Sequence, residues 1–186
     1  MNKRLGFFGG CFNPPTIAHI KLVEAAIEVA KLDKVYFVPM GNFYEKEELV
    51  DEKHRINMLN LSIQNNPKLD ISNIQIETKR QTHAIDTFKL INSTFTDSEN
   101  FFIMGSDNFK KIKSWKSAEE LIDNYNYIIL DRGNLVDKNV IIVKSSEDLK
   151  EISSSLVRKK IKNDDNIDTL LIEDVKNYIL ENRLYK

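Results

Sequence analysis

The sequence is poor in cysteine, in phosphate-loop motifs and in long apolar stretches. Cys11 is its only cysteine, which excludes an internal disulfide framework and a cysteine zinc site. It has no Gly-Lys-Ser/Thr triplet, and its glycines lack the Gly-x-Gly-x-x-Gly spacing of a dinucleotide fingerprint. No apolar run is long enough to span a membrane, and the short one at the start is cut by Gly9 and Gly10 before it can form a signal peptide. A net charge of −1 gives no electrostatic case for nucleic acid or a membrane surface as partner. The expected location is the cytoplasm.

Apolar runs and amphipathic segments alternate along the 186 residues, of which 41% are hydrophobic and 30% charged. This composition is ordinary for a soluble globular protein, and the length suits one domain, 1–186. The alternation predicts an α/β fold: a Rossmann-like, doubly wound parallel sheet with right-handed crossovers and helices on both faces. The predicted strands are 5–8, 34–39, 69–76, 101–104, 127–130 and 140–143. The first predicted helix begins near residue 16, and the others span 51–65, 84–95, 117–123, 155–161 and 172–184.

Segment 5–19 begins as an apolar run, turns at Gly9 and Gly10, and continues into a helical pattern from about Thr16. Glycine lets the backbone turn sharply or approach a ligand closely. A strand, a glycine turn and a helix start together aim backbone N–H groups at an anion, and His19 can add a side-chain donor. The segment is therefore a candidate phosphate site. The alternative is a plain connection in which His19 lies near the helix cap.

The same segment resembles the signature G-G-[ST]-F-[DN]-P-x-H-x-[GA]-H of the nucleotidyltransferase superfamily related to class I aminoacyl-tRNA synthetases. Thr16 stands in place of the first histidine, as in the phosphopantetheine adenylyltransferase branch, and Cys11, in place of a small hydroxyl residue, is expected to pack. The resemblance implies a nucleotidyltransferase fold of the α/β phosphodiesterase type. It also implies ATP contacts from Gly9, Gly10, Phe12, Thr16 and His19.

A second match lies at residues 152–158. Serines before an amphipathic segment make a helix N-cap with donors to spare, and an arginine one turn further can grip a phosphate bidentately. Considered alone, the pattern is explained by an ordinary cap and an exposed arginine. It also matches the I-S-S-[ST]-x-[IV]-R signature of the same superfamily, which implies further ATP contacts from Ile152, Ser154, Ser155 and Arg158.

The turn Gly105-Ser106-Asp107-Asn108 resembles the G-[AS]-D motif that holds the adenosine part of ATP in this superfamily. Gly105 would allow close approach, and Asp107 would accept hydrogen bonds from ribose hydroxyls or, alternatively, cap a helix. A lone tryptophan is usually a packing residue. The place of Trp115 matches a tryptophan of bacterial nicotinate-mononucleotide adenylyltransferases, which implies stacking on the pyridine ring of the acceptor.

The segment 77–87 resembles the E-x-x-R-x-x-[ST]-Y-T-x-D-T stretch of the same enzymes, whose backbone amides meet the nicotinate carboxylate. His83 and Ala84 depart from the usual Tyr and Thr. Tyr44-Glu45-Lys46 stands where these enzymes often carry P-H-K, and only Lys46 is kept. His83 is either a substrate contact or an exposed residue at a helix start. The acceptor-binding residues implied by the resemblance are Asn13, Lys46, Thr82, His83 and Trp115.

These resemblances imply an adenylyltransferase that moves AMP from ATP to nicotinate mononucleotide and releases pyrophosphate. The expected catalytic residues are His19 at the α-phosphate, Thr16 as its helper, and Lys46 and Arg158, with Ser154, at the β- and γ-phosphates. No acidic metal cluster is visible, so Mg²⁺ is expected on the ATP phosphates. Phosphopantetheine or nicotinamide mononucleotide as acceptor, a nucleotide-binding sensor without turnover, and a homodimer stay open.

Overall fold

One parallel sheet organises the chain. The computed structural model describes residues 2–44, 48–131, 137 and 140–186. Every strand pair in this part of the chain is parallel, and the strand order is β3-β2-β1-β4-β5-β6. The strands are β1 Lys3–Gly10, β2 Lys34–Pro39, β3 Leu69–Ile71, β4 Ser98–Gly105, β5 Asn126–Asp131 and β6 Ile141–Lys144. The predicted doubly wound parallel sheet is confirmed.

The strands are apolar because most are buried on both faces. Residues 5–8 of β1 are all buried, as expected for the centre of a parallel sheet. The prediction of a strand over 69–76 is wrong beyond Ile71. There the pairing with β2 ends, and Ile74–Glu77 forms a short helix whose Ile74 packs into the core. The alternation of apolar residues is broken by Ser72-Asn73, which is the signal that the strand stops.

Nine α-helices and one 3₁₀ helix, Ile112–Ser114, connect or flank the strands in the described residues. Four-residue helices escaped prediction because one turn is too short to display helical periodicity. The longer predicted helices are confirmed with ends shifted by up to three residues. The helices are α1 Ile17–Ala30, α2 Glu52–Ile63, α3 Ile74–Glu77, α4 Ala84–Thr94, α5 Ser106–Phe109, α6 Ala118–Asn124, α7 Glu147–Lys150, α8 Ser154–Lys162 and α9 Glu173–Glu181. Among the described residues, no helix combines the length and the apolar character needed to cross a bilayer.

Two hydrophobic clusters cover opposite faces of the sheet. Successive residues of a strand point to opposite faces, so Phe8 joins the cluster packed by α1, α2, α8 and α9. Its neighbour Phe7 joins the cluster packed by α4 and α6. Layering on both faces leaves only the ends of the strands free to form a site.

The strand order reverses between β1 and β4, since β1 leads on to β2 and β3 on one side and β4 lies on the other. Phe8 pairs with Ile103 of β4, and Gly10 and Gly105 end the two strands two residues later. Ligands of open parallel sheets bind beyond the carboxyl ends of the strands at such a reversal. Both predicted glycine turns lie there.

Gly6→Ala is expected to lower the free energy of unfolding by about 1–3 kcal/mol, because overpacking a core displaces its neighbours. A Cβ at Gly6 would lie 2.8 Å from Ile103 Cδ1 and 2.9 Å from Leu32 Cδ1. Gly9→Ala is the matched control, since a Cβ there meets nothing within 4 Å. Urea unfolding would measure both variants. Equal destabilisation of the two would contradict the packing explanation.

Candidate active site

The start of α1 holds the ring of His19 in one orientation. Thr16 is the N-cap residue, and its backbone N–H donates to His19 Nδ1 at 2.9 Å. The Thr16 hydroxyl lies 2.8 Å from the same nitrogen. An N–H can only donate, so Nδ1 is the acceptor and the neutral ring carries its proton on Nε2. Thr16 is 1% exposed, so its hydroxyl contacts the imidazole of His19 from the buried side of the ring.

Aromatic rings pack behind the glycine turn. The ring centroids of Phe8 and Phe12 lie 5.9 and 5.6 Å from that of His19. The Phe12 ring is buried, and a Cβ on Gly10 would lie 2.9 Å from it. Gly10 is therefore required by packing, whereas Gly9 faces open space at the strand end. Because the Phe12 ring belongs to the core, its predicted ATP contact would have to come from its backbone.

The start of α8 is joined directly to the loop after β1. Ser153 caps this helix by accepting the Leu156 N–H at 3.2 Å. Ser154 donates its hydroxyl proton to the Pro14 carbonyl at 2.7 Å, although the two residues are 140 positions apart. The two segments that were singled out in the sequence therefore lie together in space. Of the other residues predicted on this helix, Ser155 is exposed in its first turn, while Ile152, just before it, is buried in the core.

Arg158 of α8 is held by hydrogen bonds to two loops, the one after β1 and the one after β2. Its Nη1 donates to the Asn13 carbonyl at 2.9 Å, and its Nε donates to Glu48 Oε2 at 3.0 Å. Lys162 forms an ion pair with the same carboxylate. Hydrogen bonds from Lys162 and then Arg158 hold the pKa of Glu48 below its usual range. A guanidinium has five N–H groups, so these contacts leave donors for a phosphate.

Asn13, predicted to contact the acceptor, is a buried hub of hydrogen bonds. Its Nδ2 donates to the Glu48 carbonyl at 2.8 Å, and its Oδ1 accepts from the Val50 N–H at 3.2 Å. The Tyr185 hydroxyl donates to the same oxygen at 2.9 Å. Desolvation raises the pKa of Tyr185, so this donor stays protonated. The side chain of Asn13 is used inside the protein, and its contact with a substrate stays a prediction.

Arg55 is a functional candidate that the sequence analysis did not single out. Its side chain has no exposed surface, and it donates to three neutral oxygens. Nε reaches the Val50 carbonyl at 2.9 Å, Nη1 the Cys11 carbonyl at 3.0 Å, and Nη2 the Asn42 Oδ1 at 3.2 Å. Burial lowers the pKa of Arg55. A guanidinium nevertheless stays protonated in proteins, so Arg55 is a cation. This buried cation therefore fixes the loop after β1 to the loop after β2.

The signal for Arg55 was present in the pattern of α2. The residues that form the buried stripe of a helix are spaced three or four positions apart. Arg55 is the charged member of such a stripe, whose other buried members are Met58, Leu59, Ser62 and Ile63.

The end of β4 provides a second open turn. Gly105 is the N-cap residue of α5, and a Cβ on it would meet nothing within 4 Å. Asp107 is exposed in the first turn of this helix, so the alternative prediction that it caps the helix is wrong. Trp115 follows the 3₁₀ helix and packs partly against the core of the α4 face. Its exposed part leaves stacking on a ligand as a prediction.

The predicted acceptor segment is already hydrogen-bonded within the protein. The Thr82 N–H donates to the Tyr44 hydroxyl at 3.0 Å, and the His83 N–H donates to Asp86 Oδ2 at 3.2 Å. His83 is the N-cap residue of α4 and its side chain is exposed. Backbone donors for a carboxylate would therefore come from the first turn of α4. The predicted contacts of Lys46, and the departure at Glu45, lie outside the described residues.

The residues around the point where the strand order reverses are mainly hydrogen-bond donors and cations. Backbone N–H groups at two helix starts, one oriented imidazole and one arginine suit a polyphosphate. In the described part of the chain, no group of three or more His, Cys, Asp and Glu side chains is placed to hold a metal ion.

Residues 7–160 match the family model described as cytidylyltransferase-like. The sequence is 34% identical over 192 residues to a probable nicotinate-nucleotide adenylyltransferase of Halalkalibacterium halodurans, covering 99% of this chain and 92% of the relative. It is 35% identical to a protein of the same description from Acholeplasma laidlawii, covering 96% of both chains. It is 29% identical to the nicotinate-nucleotide adenylyltransferase of Bacillus subtilis, covering 99% of both.

Solved structures share the fold. The nicotinic acid mononucleotide adenylyltransferase of Plasmodium falciparum in complex with NaAD superposes with a TM-score of 0.87 at 22% identity, covering 98% of this chain and 97% of that chain. The putative nicotinate-nucleotide adenylyltransferase of Vibrio parahaemolyticus gives a TM-score of 0.75 at 19% identity, covering 98% and 95%. At these identities the likeness concerns the fold alone.

Proposed function

Since the chain belongs to the cytidylyltransferase-like family and, within it, to the nicotinate-nucleotide adenylyltransferases, we propose that it transfers AMP from ATP to nicotinate mononucleotide. The products are nicotinate adenine dinucleotide and pyrophosphate, which places the reaction in NAD biosynthesis. In this proposal residues 1–186 act as one nucleotidyltransferase domain.

The observation that carries the proposal is the joining of α8 to the loop after β1. Ser154 and Arg158 reach the Pro14 and Asn13 carbonyls at 2.7 and 2.9 Å. This contact brings the start of α8 next to the loop that leads into α1. A triphosphate between them would meet N–H groups and the positive ends of two helix dipoles.

The reaction requires positioning and charge stabilisation rather than a strong base. The acceptor is a phosphate monoester whose second pKa is about 6, so it is already a nucleophile at neutral pH. One of its oxygens attacks the α-phosphorus of ATP, the bond from phosphorus to the bridging oxygen breaks, and pyrophosphate leaves. Donors fixed before the reaction lower the barrier, because they stabilise charge that develops on the transferred and leaving groups.

Several of the predicted site residues have a role in this scheme. The His19 Nε2–H donates to the α-phosphate, and Thr16 fixes the ring through its contacts of 2.9 and 2.8 Å with Nδ1. Arg158 and Lys46 bind the β- and γ-phosphates. Ser154 adds its backbone N–H at the start of α8, since its hydroxyl proton goes to the Pro14 carbonyl. Gly9 and Gly105 give the nucleotide room at the ends of β1 and β4, because neither has a neighbour where a side chain would begin. Asp107 accepts hydrogen bonds from the ribose, and Trp115 stacks on the pyridine ring.

Mg²⁺ enters this scheme as part of the substrate, bound to the ATP phosphates. Phosphate oxygens are ligands that Mg²⁺ accepts readily while it keeps several waters. The partners of the protein are then ATP and the mononucleotide. The cytoplasmic location and a homodimer stay predictions.

Pyrophosphate release is the direct test of the proposal. ATP and Mg²⁺ would be supplied with nicotinate mononucleotide, nicotinamide mononucleotide or phosphopantetheine in parallel reactions. Release with the nicotinate acceptor, at a kcat/KM at least about 10-fold above that with the other two, is the expected result. Tenfold corresponds to about 1.4 kcal/mol of discrimination in the transition state.

Other outcomes have defined meanings. Release with only another acceptor would retain the chemistry and overturn the proposed substrate. ATP binding without release for any acceptor would instead favour a nucleotide-binding sensor, an alternative raised by the threonine at position 16.

A further inference from the structure

We propose that Tyr44 is a positioning residue for the acceptor side of the site, acting through the turn that contains Thr82. This inference rests on the proposed function. It concerns a residue in the loop that follows β2, at a position where this sequence departs from the P-H-K element of the family.

The Tyr44 hydroxyl forms the centre of a compact hydrogen-bond node. It accepts from the Thr82 N–H at 3.0 Å and from Gln75 Nε2 at 2.7 Å. The Thr82 carbonyl and the Thr82 Oγ1 each lie 2.9 Å from the same hydroxyl oxygen. Thr82 Oγ1 also lies 3.1 Å from Thr87 Oγ1, on the first turns of α4. One phenol oxygen thus joins the loop after β2, helix α3, the Thr82 turn and helix α4.

The hydroxyl of Tyr44 is fully used by these contacts. A phenol has one proton to donate and two lone pairs to accept with. The Thr82 N–H and the Gln75 amide occupy the acceptor positions, and the proton goes to an oxygen of Thr82. A saturated hydroxyl has nothing left for a substrate. Tyr44 therefore acts on the reaction through Thr82 and α4, rather than by touching the acceptor.

The loop that carries Tyr44 is anchored independently to the phosphate side. The Met40 N–H donates to the Gly10 carbonyl at 3.1 Å. Asn42 is held by Arg55, which also binds the Cys11 carbonyl. The Tyr44 node is consequently the link between a fixed loop next to the glycine turn and the start of α4. Cutting that link should affect the acceptor side and leave the ATP side in place.

The Tyr44 node also determines which backbone N–H groups of the acceptor segment remain available to bind a substrate. The N–H of Thr82 donates to Tyr44, one of its two oxygens accepts the Tyr44 proton, and its Oγ1 lies 3.1 Å from Thr87 Oγ1, so Thr82 is a fixed support. Its orientation sets the direction in which α4 begins, since His83, the next residue, is the N-cap. A change of a few tenths of an ångström at this turn would move every N–H group of the first helical turn together. Such groups bind tightly only when they are held in place beforehand.

The test compares Tyr44→Phe with Tyr178→Phe, each of which removes one hydroxyl. Tyr178 is a matched control because its hydroxyl is also bound, by Asn57 Nδ2 at 2.9 Å, but on the α2–α9 side of the molecule. Tyr44→Phe is expected to raise the KM for nicotinate mononucleotide about 10-fold, while kcat and the KM for ATP change less than about twofold. The Tyr178→Phe enzyme is expected to keep all three constants within about twofold.

A second measurement reports on the Tyr44 hydrogen bonds directly, independently of their effect on the KM. Amide hydrogen exchange at Thr82 should be faster in Tyr44→Phe, because the N–H loses its acceptor. Faster exchange with an unchanged KM for the mononucleotide would overturn the positioning role, as would equal rises in the KM for both substrates. An unmodified protein that fails to turn over nicotinate mononucleotide would overturn the proposed function, and this inference with it.

Discussion

The His19→Ala protein is expected to have a kcat about 10²–10³-fold below that of the unmodified protein, with little change in the KM for ATP. Losing one preorganised donor to the reacting group typically has an effect of this size. Here the donor is the Nε2–H, since Nδ1 accepts from the Thr16 N–H at 2.9 Å. Single-turnover measurement of AMP transfer would isolate the chemical step from product release.

His19 also caps α1, so a loss of activity must be separated from a loss of stability. His19→Ala leaves the buried Thr16 N–H without its side-chain acceptor, which is expected to cost about 1–3 kcal/mol. His19→Glu restores an acceptor, because glutamate three residues after a threonine N-cap forms the usual capping box. This variant should unfold like the unmodified protein in urea and still lack turnover.

His54→Ala provides the control, since the His54 ring contacts the Tyr178 hydroxyl of α9 and forms no hydrogen bond with Thr16 in the described part of the chain. Its turnover should stay within about threefold of the unmodified rate. If both His19 variants kept turnover within tenfold of that rate, the assignment of His19 to the α-phosphate would be wrong.

Replacing Arg158 by alanine is expected to lower kcat/KM for ATP about 100-fold, mainly by raising the KM. A guanidinium binds phosphate oxygens bidentately, and this one is preset by the Asn13 carbonyl and by Glu48. Calorimetric titration with ATP and Mg²⁺ would measure the loss of binding separately from turnover. Arg158→Lys keeps the charge without the planar fork, so its loss should be intermediate, near 10-fold.

Lys159→Ala is the matched control for charge, since Lys159 is the next residue on α8 and is exposed. It removes one positive charge from the helix without touching the site, and its kcat/KM should fall by less than about threefold. Equal losses in Arg158→Ala and Lys159→Ala would show that general charge attraction, and not a specific contact, accounts for the effect.

The parts of the fold that were predicted correctly are those whose conformation is determined by residues close together in the sequence. β2 was predicted with its observed ends, 34–39, because a run of apolar and β-branched residues before a proline leaves few alternatives. The start of α1 was found from the threonine cap and the apolar repeat that follows it. In both places local preference and global packing agree.

What the sequence pattern did not predict depends on contacts between distant residues. Arg55 meets Cys11 across 44 positions and Tyr185 meets Asn13 across 172, and no local period reports such pairs. The Tyr44 node likewise joins residues 38 positions apart. Asn13 was read as a substrate contact because the resemblance placed it in the signature; its buried partners became visible only in three dimensions. The place of Ser154 beside the glycine turn, in contrast, was predicted from two separate motif matches.

The hydrogen bond between Tyr185 and Asn13 also has a consequence for the order in which the protein is completed during translation. Asn13 is made early, whereas its partner Tyr185 is made 172 residues later. At 5–20 residues per second this interval is roughly 10–35 s. Ser154 and Arg158 follow their partners Pro14 and Asn13 by 140 and 145 residues, so they are made shortly before Tyr185. Until then the nascent chain carries the glycine turn without any of these contacts. This end of the sheet is thus finished only when the last of these residues has left the ribosome.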